Sequence, residues 1–306
     1  MKSPEKYAIL TRVIFMKKEQ IKGSAMLLFA TLIWGSAFVA QSVGMDHLGP
    51  MSFQAVRSLL AVAAMAVLVF CADRDKSRYF VQWKNKNLWK TGILCGLALF
   101  VAQGLQQMGL QYTEPGKAGF ITAMYIVLVP VLGLFLGRRC GWRIWFSVAL
   151  AVAGLYLLSC VGVTQINLGD LMILASAGAF AVQILLIDHL AQELDGLRLN
   201  GVQFFVVMVL SFLAASLTET ATWQGVLDCA VPLLYTGILS SGVAFSLQIL
   251  GQQHLPPEPA SLIMSLESVF AVLAGWALLG QTLRPVEALG SALVFAAVLL
   301  SQRKST

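Results

Sequence analysis

Long apolar stretches alternate with short polar ones along the chain, and each apolar stretch approaches the ~20 residues that a helix needs to cross ~30 Å of hydrocarbon. The pattern predicts ten spans, at about 23–43, 50–71, 90–111, 116–137, 142–162, 169–187, 200–218, 229–251, 259–280 and 285–302. Pro50 and Pro259 stand at span starts, where a missing backbone N–H costs little. The connections are short, so consecutive helices are expected to be antiparallel neighbours.

The pattern also repeats. The stretch from Leu105 to Gly137 returns as Leu247 to Gly280: at one constant offset, Leu105, Gln106, Gly109, Gln111 and Pro115 meet Leu247, Gln248, Gly251, Gln253 and Pro257. A weaker match aligns the run from Gly23 with the run from Gly169. Such a repeat marks a duplicated structural unit. The division it predicts is a basic segment over 1–22, one unit over 23–162 (helices 1–5) and a second over 169–302 (helices 6–10). Five spans per unit is odd, so the second copy must enter the membrane upside down. Inverted repeats of this kind recur in secondary transporters, with the binding site at the repeat interface.

Composition agrees: 58% of the 306 residues are hydrophobic and 12% charged, against about 45–50% and 25% in soluble domains. The net charge of +6 points less to nucleic acid than to the basic cytoplasmic loops of membrane proteins. All of the 21 Lys and Arg fall on one predicted side except Lys117, Arg284 and the intraspan Arg57. The expected fold is therefore an all-α integral membrane protein of ten transmembrane helices in two inverted repeats, both termini cytoplasmic, in the plasma membrane. The segment before the first span is polar and basic and the span itself is full length, so a retained helix is expected rather than a cleaved signal peptide. Cys71, Cys95, Cys140, Cys160 and Cys229 lack CxxC spacing and read as small apolar fillers, with no disulfide frame and no metal.

These features resemble the drug/metabolite transporter superfamily, in its ten-helix EamA-type branch. The resemblance rests on WGSAFVA at Trp34–Ala40, on Pro50, Phe53 and Arg57, on the run from Gly119 to Arg139, and on Pro259–Gly280 followed by Leu289-Gly290. It implies a carrier of small organic metabolites, often outward, with a central site lined by helices 1, 3, 4, 6, 8 and 9. Two positions depart from the family pattern. Glu-Pro of the ninth helix is here Glu267-Ser268, and Gly-Glu at its end is Gly280-Gln281, matched in the first unit by Arg138.

Candidate chemistry is sparse. Glu267 lies about eight residues, ~12 Å, into the ninth span, where an ionised group faces a cavity or a partner; proton coupling and a structural hydrogen bond are both open to it. Its match in the first unit is Tyr125. Arg57, ~10 Å into the second span, is placed either to meet a substrate carboxylate, to balance Glu267, or to snorkel outward. Its match is Gln203. Gln103, Gln107 and Gln111 recur at i, i+4 and i+8, and Gln248 and Gln252 likewise, suiting a wet path or interhelical hydrogen bonds. Trp34, Phe38, Tyr125, Phe180 and Trp276 are candidate aromatic walls against packing as the default. Asp188, His189 and His254 read as solvated helix-end residues. Gly119-x-x-x-Ala123, Gly133-x-x-x-Gly137 and Ala271-x-x-x-Gly275 permit close helix contacts within the bundle or in a homodimer.

No nucleotide-binding glycine loop and no His-Glu-x-x-His is present, so neither an ATP-driven pump nor an enzyme is expected and no cofactor is called for. The leading expectation is a secondary transporter, in contact with the lipid bilayer and a small-molecule substrate and not with nucleic acid, exporting amino acids or related polar solutes by alternating access. The alternatives are proton-coupled efflux of apolar cations or drugs, and a non-transporting membrane scaffold or membrane-embedded enzyme.

Overall fold

A computed structural model describes residues 4–73, 79–159, 166–279 and 284–302. Several residues of the charge argument (Arg74, Lys76, Arg78, Arg303, Lys304), together with Cys160 and the Gly280-Gln281 pair, lie outside the described residues. The first half comprises α1 (Pro4–Gly44), α2 (Pro50–Ala72), the short α3 (Tyr79–Trp83), α4 (Lys86–Gly109), α5 (Pro115–Thr122), α6 (Tyr125–Phe135) and α7 (Trp142–Ser159). The second comprises α8 (Leu168–Leu190), α9 (Gly196–Thr218), the short α10 (Trp223–Asp228) and α11 (Ala230–Leu234), a π-helix (Tyr235–Ala244), α12 (Phe245–Gln252), α13 (Pro257–Met264), α14 (Leu266–Leu279) and α15 (Pro285–Ser301).

Among the described residues, eight helical stretches are long and apolar enough to cross a membrane, and Trp142–Leu158 and Pro285–Ser301 are shorter apolar helices. α1 runs without a break from Pro4, so the basic segment continues the first span as helix. The outer surface of the bundle is apolar, and polar side chains are buried among the apolar core. Phe29, Phe135 and Leu217 are 62%, 83% and 77% exposed, whereas Gln41, Gln103, Gln183 and Gln203 are buried.

Starts and stops follow local chemistry. Prolines occupy the first turn of α2, α5, α13 and α15; the ninth span begins at Pro257, two residues before the Pro259 that the pattern suggested. Asn167 and Asp170 close a capping box on α8, each side chain accepting the other's backbone N–H at 2.9 Å. α6 ends in a Schellman turn: Gly137 takes φ 76°, and Arg138 N donates to Gly133 O and Gly137 N to Leu134 O, both at 3.0 Å. Gly137 thus caps a helix rather than serving a helix–helix contact, as the glycine spacing had suggested.

The packing of one half is repeated in the other. α1 lies against α12 and α14, and its counterpart α8 lies against α4, α5 and α6. α2 packs on α9, and α7 on α15. The closest approaches are paired as well. A Cβ on Gly23 would come within 2.8 Å of Gly251 O, and one on the matching Gly169 within 2.6 Å of Gly109 O. Gly96 lies against Gln203 O and Val206, while Gly237 lies against Arg57 O and Leu60, the first-half matches of those residues. The small-residue face of α1 is closed from the other side, with Gly35 set against Glu267 O, Phe270 and Ala271 of α14.

Ion pairs hold the helix ends. Arg198 meets Asp73 and Asp195 at 2.5 Å each, and Lys117 meets Asp170 at 2.5 Å. Asp188, expected to be a solvated helix-end residue, instead pairs with Arg138 across the two halves. At the N-terminus of α2, Glu219 accepts from Met51 N and Ser52 N at 2.8 Å and from Ser52 Oγ at 2.6 Å, placing negative charge on the positive end of a helix dipole.

Candidate functional site

Two spans are broken midway at matching places. α5 gives way to α6 at Ala123-Met124, and α13 to α14 at Ser265. The backbone tightens there into i→i−3 bonds, Met124 N to Ile121 O at 3.1 Å and Ser268 N to Ser265 O at 3.2 Å. Tyr125 and Glu267 follow the breaks closely, and both face a central cavity of about 50 Å³ that is partly open to solvent. Broken helices at the midplane are where transporters place their sites.

The cavity wall is largely assembled from matched residues of the two halves. Trp34 and Phe180 are one such pair, Phe38 and Ile184 another, and Gln103 faces the counterpart position held by Phe245. Gln106 and Gln248, Thr122 and Met264, and Tyr125 and Glu267 complete the matched part. The chemistry within a pair has diverged. Gln106 donates to Thr122 Oγ1 at 3.0 Å; Met264 gives Gln248 no such hydroxyl, and Gln248 donates to Gln183 Oε1 at 3.1 Å instead.

The remaining lining residues, Ala37, Gln41, Arg57 and Ser240, have no counterpart in the cavity. They form one polar wall from α1, α2 and the π-helix. Arg57 Nη1 donates to Gln41 Oε1 at 2.7 Å and its Nε to Ser241 Oγ at 3.3 Å. Trp34 Nε1 donates to Ser240 O at 3.3 Å, and its ring stands edge-on to Phe245 at 4.8 Å. On the other side Glu267 Oε1 accepts from Tyr125 OH at 3.1 Å.

Arg57 and Glu267 are buried, and among the described residues every hydrogen-bond partner of either is uncharged. Gln103 Oε1 and Gln248 Oε1 are buried acceptors without a protein donor among the described residues. A buried ionisable group held only by neutral dipoles is costly to keep charged.

Of the residues predicted for a substrate path, Trp34, Phe38, Arg57, Gln103, Tyr125, Phe180, Gln248 and Glu267 stand together in this lining. Gln107, Gln111, Gln252 and Trp276 do not. Each step of four residues advances 400° around a helix, so an i, i+4, i+8 row drifts ~40° per step off any fixed face. Gln107 is buried outside the lining, Gln111 lies past the end of α4, and Gln252 donates to Ile184 O at 3.2 Å. Trp276 is 55% exposed on the outside of α14. Gln106, Gln41 and Ser240 were not foreseen, although the Gln106–Gln248 identity in the repeat already marked the first of them.

The fold and cavity define a polytopic membrane protein with a central chamber between two related halves. The EamA-like transporter family model matches the chain twice, over residues 21–160 and 167–302, and the chain belongs to that family. It is a multi-pass membrane transporter of the drug/metabolite superfamily and not an enzyme. An uncharacterized transporter of Archaeoglobus fulgidus is 32% identical over 277 residues, covering 90% of this chain and 83% of its own. The threonine/homoserine exporter RhtA of Escherichia coli K12 is 28% identical over 170 residues, 54% of this chain and 56% of its own. A solved crystal structure with 18% identity superposes with a TM-score of 0.77, over 92% of this chain and 96% of that one, a likeness of fold.

Proposed function

We propose that the chain is a secondary transporter that moves zwitterionic metabolites, amino acids first among them, out of the cell by alternating access across the plasma membrane. The observation that carries this reading is the pair of buried ionisable side chains in one chamber, each bonded to neutral partners, Arg57 to Gln41 and Ser241 and Glu267 to Tyr125. An α-carboxylate suits the guanidinium fork. An α-ammonium suits the carboxylate, with the faces of Trp34 and Phe180 beside it. RhtA, related over about half the chain, exports threonine and homoserine by name, which supports an amino acid as cargo.

In this reading the two halves are inverted repeats of five spans each, with both termini cytoplasmic, and they rock about the chamber. The matched close contacts between the halves and the one-sided distribution of Lys and Arg support it. Efflux of an apolar cation would use Glu267 and the aromatic rings but leave Arg57 in the chamber wall repelling the cargo. The test is counterflow of radiolabelled L-amino acids in proteoliposomes, run beside their methyl esters, which lack the carboxylate. Uptake of acids over esters is expected. If esters move and acids do not, the cation reading takes its place; if no solute moves under any proton or voltage gradient, transport itself is rejected.

A further inference from the structure

Between their third and eighth spans, from the first glycine contact to the second, the two halves fall out of register by one residue. Gly96 and Gly237 occupy matching positions, as their contacts with Gln203 and Arg57 demonstrate, and so do Gly109 and Gly251. Yet thirteen residues lead from Gly96 to Gly109 and fourteen from Gly237 to Gly251. The second half therefore carries one extra residue between two fixed packing points. α4 crosses the corresponding interval as ordinary α-helix, whereas the second half crosses it as the π-helix Tyr235–Ala244. A π-turn absorbs one residue by replacing i→i+4 bonds with i→i+5 bonds, and it leaves carbonyls displaced from the usual ladder.

Those displaced groups are in use. Asn200 Nδ2 donates to both Ser241 O and Gly242 O, at 3.1 and 2.9 Å. In the first half the matching Gln54 reaches a single carbonyl, Phe100 O, at 3.5 Å. Ser240 O takes the Trp34 indole and Ser241 Oγ takes Arg57 Nε. The cavity thus departs from its matched pairs on the side where the extra residue lies.

We propose that this one-residue insertion is the specificity-determining element of the chamber: the π-helix presents Ser240 and Ser241 so that the Arg57 guanidinium is held toward the cavity as the receptor for an anionic group of the substrate. The proposal rests on the zwitterion reading above. Without the insertion the segment winds as α-helix, each residue turning its neighbours by ~100°, and the carbonyl and hydroxyl that position Trp34 and Arg57 leave the wall. Ser241 is then a positioning residue, acting on the substrate only through Arg57.

The experiment deletes Leu239, an exposed residue of the π-helix that bonds to none of the site residues. The deletion restores the first half's spacing between the two glycine contacts, a spacing that α4 satisfies in the same surroundings. Ser241→Ala keeps the π-helix and removes only the acceptor of Arg57 Nε, so it carries the test if the deletion variant does not fold. Binding of the L-amino acids, and of the amide of whichever binds tightest, is measured by calorimetry on protein whose helicity and elution volume match wild type. Wild type is expected to prefer the acid over its amide, and both variants to lose about ten-fold of that preference, with amide affinity little changed. A preference unchanged in a folded variant overturns the proposal and leaves the zwitterion reading standing. A wild-type protein that binds acid and amide equally sinks both.

Discussion

Replacing Glu267 by Gln separates stability from function in a way that a merely structural acid would not. The Glu267 carboxyl group is buried and accepts one neutral hydrogen bond, from Tyr125 at 3.1 Å. Burying an unpaired ion costs several kcal/mol, and a hydrogen bond to a charged group returns about 1.5–3 kcal/mol, so the native state carries a net penalty of about 2 kcal/mol. Gln keeps the shape and, through its carbonyl, the Tyr125 bond, and it removes the charge. At about 2–4 °C per kcal/mol, the variant is expected to melt about 5 °C higher than wild type in the absence of substrate. Ligand shifts run the other way. A substrate at one hundred times its Kd stabilises wild type by about 2.7 kcal/mol. Loss of a charge-assisted contact worth about 1.5–3 kcal/mol raises Kd roughly 10- to 100-fold, and at the same concentration the shift shrinks to between about 0.4 and 1.4 kcal/mol. Protons compete with the substrate ammonium for the carboxylate, so wild-type affinity falls as pH is lowered through the Glu267 titration, and the Gln variant lacks that limb. Thermal unfolding in detergent, with and without amino acid across a pH series, reads all three effects. A variant that melts no higher than wild type and keeps the full ligand shift would refute the assignment of Glu267 to the substrate ammonium.

Arg57→Gln should leave the Gln41 contact in place and reduce amino acid counterflow at least ten-fold while sparing methyl esters; equal loss of both, with lower expression, would make Arg57 a folding residue. Gly23→Val should separate α1 from α12, because its Cβ would stand 2.8 Å from Gly251 O, and lower the melting temperature by the equivalent of about 1–3 kcal/mol. Unchanged melting would mean that the helices are free to part there. Glu219→Gln weakens the cap on α2, from which Glu219 accepts three bonds, and should cost about 1–2 kcal/mol, a loss that grows as salt is removed; a salt-independent loss would point to packing instead of charge.

The frame of the molecule was legible because membrane spans are specified by length and hydropathy, and because the duplication kept its turn prolines and tight glycines. Pro115 and Pro257 open matching helices, and Gly109 and Gly251 seat matching contacts, as their identity in sequence implies. The site was read in part. Glu267 and Arg57 stand out in any apolar span, since ions are expensive there, and aromatics near the centre of helix 1 or 6 have few places to go. The amides were harder. An i, i+4 row on a helix names residues that share a stripe, but it does not say which stripe faces the cavity, so Gln107, Gln111 and Gln252 were grouped with Gln103 and Gln248 while Gln106 was passed over. Asp188 and Lys117 were read singly, although their partners Arg138 and Asp170 lie far along the chain; ion pairs between distant segments leave no local pattern.

Duplication followed by divergence explains why the least legible part of the site is also its most informative. The repeat matches Trp34 with Phe180 and Tyr125 with Glu267, and it generates a chamber that is symmetric in outline. Two identical halves would put the same side chain twice into one small space, so a charge required once must arise where the copies differ. Glu267 meets that condition by substitution, since its match is a tyrosine. Arg57 meets it in two steps: its match is Gln203, and its orientation comes from Ser241 on a segment that the first half lacks in that register. Gln203 shows what the same position does without the charge. It accepts from Gln183 at 3.3 Å and donates to Asn200 at 2.7 Å, closing a chain of amides that fixes the π-helix from behind. One member of the pair thus holds the wall and the other lines the cavity, so a chamber that is symmetric in outline carries a guanidinium on one side alone, the asymmetry that the proposed sorting of the two ends of a zwitterion requires.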